Sequence, residues 1–141
     1  KDRMEQMWQL LFPEIPRENL VIVRFKGKWK NKFGHIKKIK GLNTEIAINS
    51  IFKDDRVPDY IIDLTLAHEM VHYMHGFNSP LPKQFKHPHA GGIVNRELKK
   101  RGFGHLIVKE KAWVKKDWEP IFKDYVKPRE YRPRSFGFFR W

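Results

Sequence analysis

A chain of 141 residues with 40% hydrophobic and 14% aromatic side chains supplies one modest globular core, and no apolar run approaches the ~20 residues of a membrane span. The absence of cysteine excludes disulfides and thiolate-held metal within these residues and fits a reducing, intracellular setting, cytoplasmic, nucleoid or nuclear. Against 16 acidic residues stand 29 Lys and Arg, and the net charge of +13 favours polyanions, nucleic acid before an anionic membrane surface.

Met4, Met7, Trp8, Leu11 and Phe12 recur at helical spacing, so the spacing predicts a first helix over residues 2–12, stopped by Pro13 and Pro16. Leu20 to Phe25 is rich in β-branched residues and reads as a strand. Gly34 to Gly41 and Leu42 to Asn49 follow as second and third strands, with Gly41 as the turn between them. Arg24, Lys26, Lys28, Lys30, Lys32, Lys37, Lys38 and Lys40 fall in one acid-free stretch, with Trp29 and Phe33 interleaved. Two readings compete for this basic hairpin: a solvated surface with snorkelling lysines, or a phosphate-contacting face with Trp29 stacking on unpaired bases.

The strongest signal is His68-Glu69-Met70-Val71-His72, which reads H-E-x-x-H; composition alone produces it about two times in a hundred. It lies in a helical stretch that opens at Pro58, carries Asp59 in its first turn and ends near Gly76. Positions four apart share a helix face, so His68 and His72 can offer two imidazoles to one ion. Glu69 can reach a water at the ion's open position without itself binding the ion. A catalytic zinc site needs a third protein ligand. The residues offer a histidine of His87-Pro88-His89, Glu97 on a following helix, or His75, which lies too near His72 to close a tetrahedral site easily. His75 also stands where H-E-x-x-H-x-x-G-x-x-H proteases carry glycine, which excludes that class. Beyond a proline-punctuated loop over residues 77–88, Ala90 to Arg101 reads as a third long helix and Phe103 to Val108 as a short extended segment. A fourth helix carries Trp113, Val114, Trp118, Ile121, Phe122 and Tyr125. Residues 128–141 form a basic, aromatic tail, expected to pack on or extend from a domain of residues 1–127.

The stretch Leu64-Thr65-Leu66-Ala67-His68-Glu69-Met70-Val71-His72, followed by a glycine, a loop and His89-Ala90-Gly91-Gly92-Ile93, resembles the SprT-like (Spartan) family of zinc metalloproteases. The resemblance covers roughly residues 1–105 and is most specific over residues 68–93. It implies a small α+β zincin-like fold, a three-stranded sheet packed on helices with the H-E-x-x-H helix at the cleft. It also implies Zn2+ held by His68, His72 and His89, with Glu69 as general base. The implied substrates are proteins bound or crosslinked to DNA, the implied partner is DNA, single-stranded and read without sequence preference, and the chain is expected to be a monomer. Ala90 stands where the family has glycine, and the missing cysteines mean that the C-terminal third of these residues is not the zinc ribbon many members carry. Two alternatives stay open: a nucleic-acid-binding module with a structural or degenerate zinc site, and a general peptidase indifferent to DNA.

Overall fold

The computed structural model describes residues 2–126. In chain order they form α1 (Asp2–Leu11), β1 (Val21–Phe25), β2 (Gly34–Ile39), β3 (Asn43–Ile48), α2 (Asp59–Met74), α3 (Ile93–Lys100), α4 (Gly104–Trp113) and α5 (Glu119–Lys123). A π-helical turn, Val114–Trp118, joins the last two. The architecture is α+β, a three-stranded mixed sheet against helices, and it matches a zincin-like fold with His68 and Glu69 on its central helix. No helix among the described residues is long and apolar enough to cross a membrane. The basic aromatic tail lies outside the described residues.

α1 buries Met4, Met7, Trp8 and Phe12 and leaves Leu10 exposed, as a 3.6-residue period requires. Trp8 is a core anchor: its ring meets Tyr73 edge-on at 5.3 Å and its Nε1 donates to the Ile15 carbonyl at 2.9 Å. α2 is apolar on nearly every side, so it belongs at the centre, and residues 64–74 are all buried. It ends in a Schellman motif, the Phe77 amide donating to the His72 carbonyl and the Gly76 amide to that of Tyr73. Gly76 takes φ +84°, and a β-carbon there would stand 2.4 Å from the Pro82 carbonyl oxygen, so only glycine closes this turn.

The strand order is β1-β3-β2, with β1 parallel and β2 antiparallel to β3. This corrects the expectation of one basic hairpin over residues 24–40. The hairpin is β2–β3, and β3 lies between the two basic strands. Ile46, Ala47 and Ile48 make β3 the most buried strand, so it takes the centre, while the strands carrying Arg24, Lys37 and Lys38 take the edges where those side chains reach water. The connection from β1 to β2 passes over the end of β3. It is pinned by Phe33, buried against Phe52, Trp113 and Trp118, and by Trp118 Nε1 donating to the Lys30 carbonyl at 2.7 Å.

Two further expectations are corrected. The helix read over Ala90 to Arg101 begins only at Ile93, because Gly91 and Gly92 take φ of 59° and 69° and break the helical path. The segment read as extended, Phe103 to Val108, is the first part of α4: Ile107 is buried while Val108 is 69% exposed, a helical rather than alternating pattern once Phe103 packs on the core.

α4 also carries a stability device that no sequence pattern announces. Burial pushes the Glu110 carboxyl up to about 7, and its Oε2 has no hydrogen-bond partner. The carboxyl is therefore neutral and harmless below its ordinary value of 4.5, and its penalty grows as pH rises through about 7 and then levels. Glu110→Gln should leave urea stability unchanged near pH 4.5 and raise it by about 3 kcal/mol above pH 8. Equal midpoints for the two proteins at pH 8 would show that the carboxyl is solvated in solution.

Candidate metal centre

His68 and His72 project from one face of α2, one turn apart, and their Nε2 atoms lie 3.1 Å from each other. The third corner arrives from the loop that follows the helix. After the turn at Gly76, the Gln84 amide donates to the His75 carbonyl at 2.9 Å and Gln84 Nε2 to the Met74 carbonyl at 3.1 Å. The Phe85 ring meets His75 edge-on at 4.8 Å. These contacts fold the loop back along the helix end and bring His89 Nε2 to 3.0 Å from His72 Nε2 and 3.3 Å from His68 Nε2. Four-coordinate zinc with nitrogens ~2.0–2.1 Å away sets its ligands roughly 3.3 Å apart, so the triangle has nearly the size such an ion requires. His68, His72 and His89 are the group among the described residues that could hold a metal ion.

Electrostatics prepare the donors. Burial holds His68 well below its ordinary value, with His72 and His89 adding to the effect. Burial, then the neighbouring His89 and His75, lowers His72 to about 3, and burial lowers His89 as well. All three imidazoles are therefore neutral at pH 7, the form that ligates a metal. His68 and His72 are buried while His89 is exposed, which leaves the centre open on the loop side.

Glu69 is 1% exposed, and its Oε2 has no hydrogen-bond partner among the described residues. Burial pushes its carboxyl up to about 8, an effect that Lys32 opposes. The wall facing it is Gly34 of β2: a β-carbon there would stand 3.2 Å from Glu69 Oε2, 2.9 Å from Thr65 Cγ2 and 2.8 Å from the Ala47 carbonyl oxygen. Only the smallest residue lets the strand lie this close to the carboxylate. Sequence reasoning missed Gly34, since a glycine at a strand start reads as a turn signal until the helix behind it is known.

The other ligand candidates lie elsewhere. His87 is exposed and makes a backbone turn to Ala90. Glu97 is bound to Arg101 Nε at 2.8 Å. His75 is buried against Phe85. Tyr73 donates to Asn19 Oδ1 at 2.6 Å beside Trp8, and His105 is exposed on α4, so neither is placed as a second electrophile.

The residues of the basic run are divided. Arg24, Lys26 and Lys37 converge on Glu45 of β3, at 3.1, 3.3 and 3.8 Å, and His35 joins them at 3.4 Å. Burial raises the Glu45 carboxyl, yet His35, Lys26 and Arg24 together leave it below its ordinary value. Lys30 faces Glu119 at 3.5 Å, Lys28 lies 5.9 Å from the Tyr125 ring, and Lys32 sits over Trp29. Lys38 and Lys40 are exposed near the far end of β2.

His68, Glu69, His72 and His89 thus form a compact arrangement consistent with a catalytic zinc metalloprotease site. No family model, no curated protein and no solved structure matches the chain.

Proposed function

We propose that this protein is a zinc-dependent endopeptidase. The observation that carries the reading is the triangle of three neutral imidazole nitrogens, 3.0–3.3 Å on a side, next to a buried carboxylate whose Oε2 has no partner among the described residues. That donor set fits zinc, and His68, His72 and His89 would hold it. Bound there, the ion supplies a Lewis acid that acidifies water and polarises a carbonyl. The Glu69 carboxylate would take the proton of the attacking water and deliver it to the departing amine nitrogen. Its raised pKa suits a group that must hold a proton and release it, and a dication bound at the triangle would favour its ionised form.

The edge of β2 supplies the substrate's backbone partner. Phe33 exchanges a hydrogen bond with Asn49, so by alternation Gly34, Ile36 and Lys38 turn their peptide groups away from β3. Asn78 Nδ2 occupies the Ile36 carbonyl at 2.8 Å, which leaves the Gly34 peptide, beside Glu69, for an extended substrate.

The finer reading, a SprT-like protease acting on DNA-associated or DNA-crosslinked proteins, is supported by the net charge of +13 and the sequence resemblance. Crowding around Glu45 supports it too: three cations share one carboxylate, and Lys26 lowers Lys37. Reversing Lys28, Lys38 and Lys40, none of which has a carboxylate partner among the described residues, should weaken binding to single-stranded DNA of any sequence. The slope of log affinity against log salt should fall by about one to two, at ~0.7 per phosphate contact. An unchanged slope would return these lysines to plain solvated surface.

The deciding experiment is cleavage of a denatured protein and of a DNA-bound protein, with and without single-stranded DNA, before and after chelation. The reading expects cleavage that is lost with chelator, restored by zinc and faster with DNA. Cleavage indifferent to DNA selects a general peptidase; DNA binding without any zinc-dependent cleavage selects a binding module.

A further inference from the structure

Register assigns each residue of the sheet to one of its two sides, because directly opposite residues share a side and neighbours along a strand alternate. Gly34 pairs with Ile48 and Ile36 with Ile46, and Gly34 faces Thr65 and Glu69 of α2. His35 and Lys37 of β2, Glu45 and Ala47 of β3 and Arg24 of β1 therefore lie on the side turned away from α2. The Lys26 amide donates to the Ile48 carbonyl at 2.8 Å, so the ladder continues past β1 and Lys26 joins Arg24 on that side.

One carboxylate lies at the centre of this side. Glu45 is 3% exposed; its Oε2 meets Arg24 Nε at 3.1 Å, and its Oε1 meets Lys26 Nζ at 3.3 Å, His35 Nε2 at 3.4 Å and Lys37 Nζ at 3.8 Å. Burial lowers His35, which is neutral at pH 7 and adds no charge. Three cations thus share a single negative charge, and none of them has a second carboxylate among the described residues. Their side chains stay about half exposed, so their remaining donors are open to a partner. The patch continues past His35 to the Trp29 ring at 5.4 Å, on which Lys32 Nζ rests at 4.3 Å from the centroid. Arg24 and Lys26 stand two residues apart along one strand, about 6.6 Å, and Lys37 stands two strands across, about 10 Å. An excess of two positive charges on so small a grid is suited to a polymer with one negative charge on every unit.

We propose that this side of the sheet docks the phosphodiester backbone of a nucleic acid, with Arg24, Lys26 and Lys37 as phosphate contacts and Glu45 as the positioning residue that gathers them. The proposal rests on the reading of DNA-associated substrates and deepens it, adding to the scattered Lys28, Lys38 and Lys40 a cluster fixed by a buried side chain. Glu45 acts in two senses: it holds the cations together, and it neutralises one of the three charges that a phosphate would meet. β2 belongs to both sites, since Gly34 walls Glu69 on one side while His35 and Lys37 belong to the other. A protein carried on the bound strand is thereby held one β-strand away from the metal centre.

The test measures fluorescence anisotropy of a labelled oligothymidylate and of a labelled duplex on the whole protein across a salt series. A fourfold variant, Arg24→Gln, Lys26→Gln, Lys37→Gln and Glu45→Gln, removes the cations without leaving a bare buried carboxylate. It should weaken oligothymidylate binding about tenfold and lower the slope of log affinity against log salt by about two, at ~0.7 for each of three phosphate contacts. Glu45→Gln alone should do the opposite, tightening binding about threefold and steepening the slope, because it frees one charge on the patch. Asp63→Asn makes the same change in net charge beside Arg3, away from the patch, and should alter neither. If the fourfold variant does not fold, Glu45→Gln set against Asp63→Asn decides alone. A loss confined to the oligothymidylate names a single strand as the source of the backbone, a loss confined to the duplex names paired DNA, and either supports the proposal. An unchanged slope in the folded fourfold variant, or equal effects of Glu45→Gln and Asp63→Asn, overturns it. If reversing Lys28, Lys38 and Lys40 still weakens binding in that case, the DNA-associated reading stands without this surface. Displacement of the oligothymidylate by polyglutamate at equal concentration of charge makes the partner an acidic protein and also overturns the proposal. No binding of either nucleic acid by the parent protein removes the DNA-associated reading and this proposal together.

Discussion

Glu69→Gln should leave a folded, metal-binding protein that cleaves peptides about 10²–10⁴-fold more slowly, the usual loss when a general base is removed. The substitution keeps the shape in a place where shape matters, since Gly34, Thr65 and the Ala47 carbonyl crowd the Oε2 position. It puts a neutral amide where burial already disfavours a charge, so the folding cost is small: at most the ~1–3 kcal/mol of an unpaired buried donor, offset by the carboxylate no longer desolvated. Turnover, zinc content by elemental analysis and circular dichroism should therefore separate cleanly, the first falling and the other two holding. A variant that cleaves at the parental rate would mean that a different group moves the proton.

The second large effect concerns the ion. His89→Ala should empty the site at zinc concentrations that fill the parent, because two imidazoles on one helix hold zinc poorly. The loss should exceed the roughly 10–100-fold that removing an outer-shell partner costs. His87→Ala should keep its zinc, since that side chain is exposed and outside the triangle. Glu97→Ala should also keep its zinc but lose stability, because Glu97 steadies Arg101, whose guanidinium also reaches Glu14 and the Leu11 carbonyl and so ties α3 to α1. Zinc retained by His89→Ala and lost by Glu97→Ala, measured after dialysis against a competing chelator, would make the ligand set wrong.

Much of this was legible in local pattern. The extents of α1 and α2, the three strands and the end of α2 at Gly76 follow from spacing, caps and turn residues, which act within a few residues of themselves. The errors have a common cause. Leu106, Ile107 and Val108 look like a strand in isolation, and only the packing of Phe103 and Ile107 on the core makes them a helix. Residues 24–40 look like one basic surface in isolation, and only the insertion of β3 puts Glu45 among their charges.

By itself the sequence determined that His68 and His72 share a helix face and that Glu69 stands beside them, because a helix's rise and turn leave no other arrangement. It also determined the absence of thiolate ligands and the excess of positive charge. Tertiary structure decided which of His75, His87, His89 and Glu97 meets that pair. Their spacing permits several choices, and the Schellman turn, the Gln84 bonds and the Phe85–His75 contact select His89. It decided too that Gly34 would wall the carboxylate. That depends on a connection passing over a strand that comes later in the chain, a contact that no local periodicity encodes.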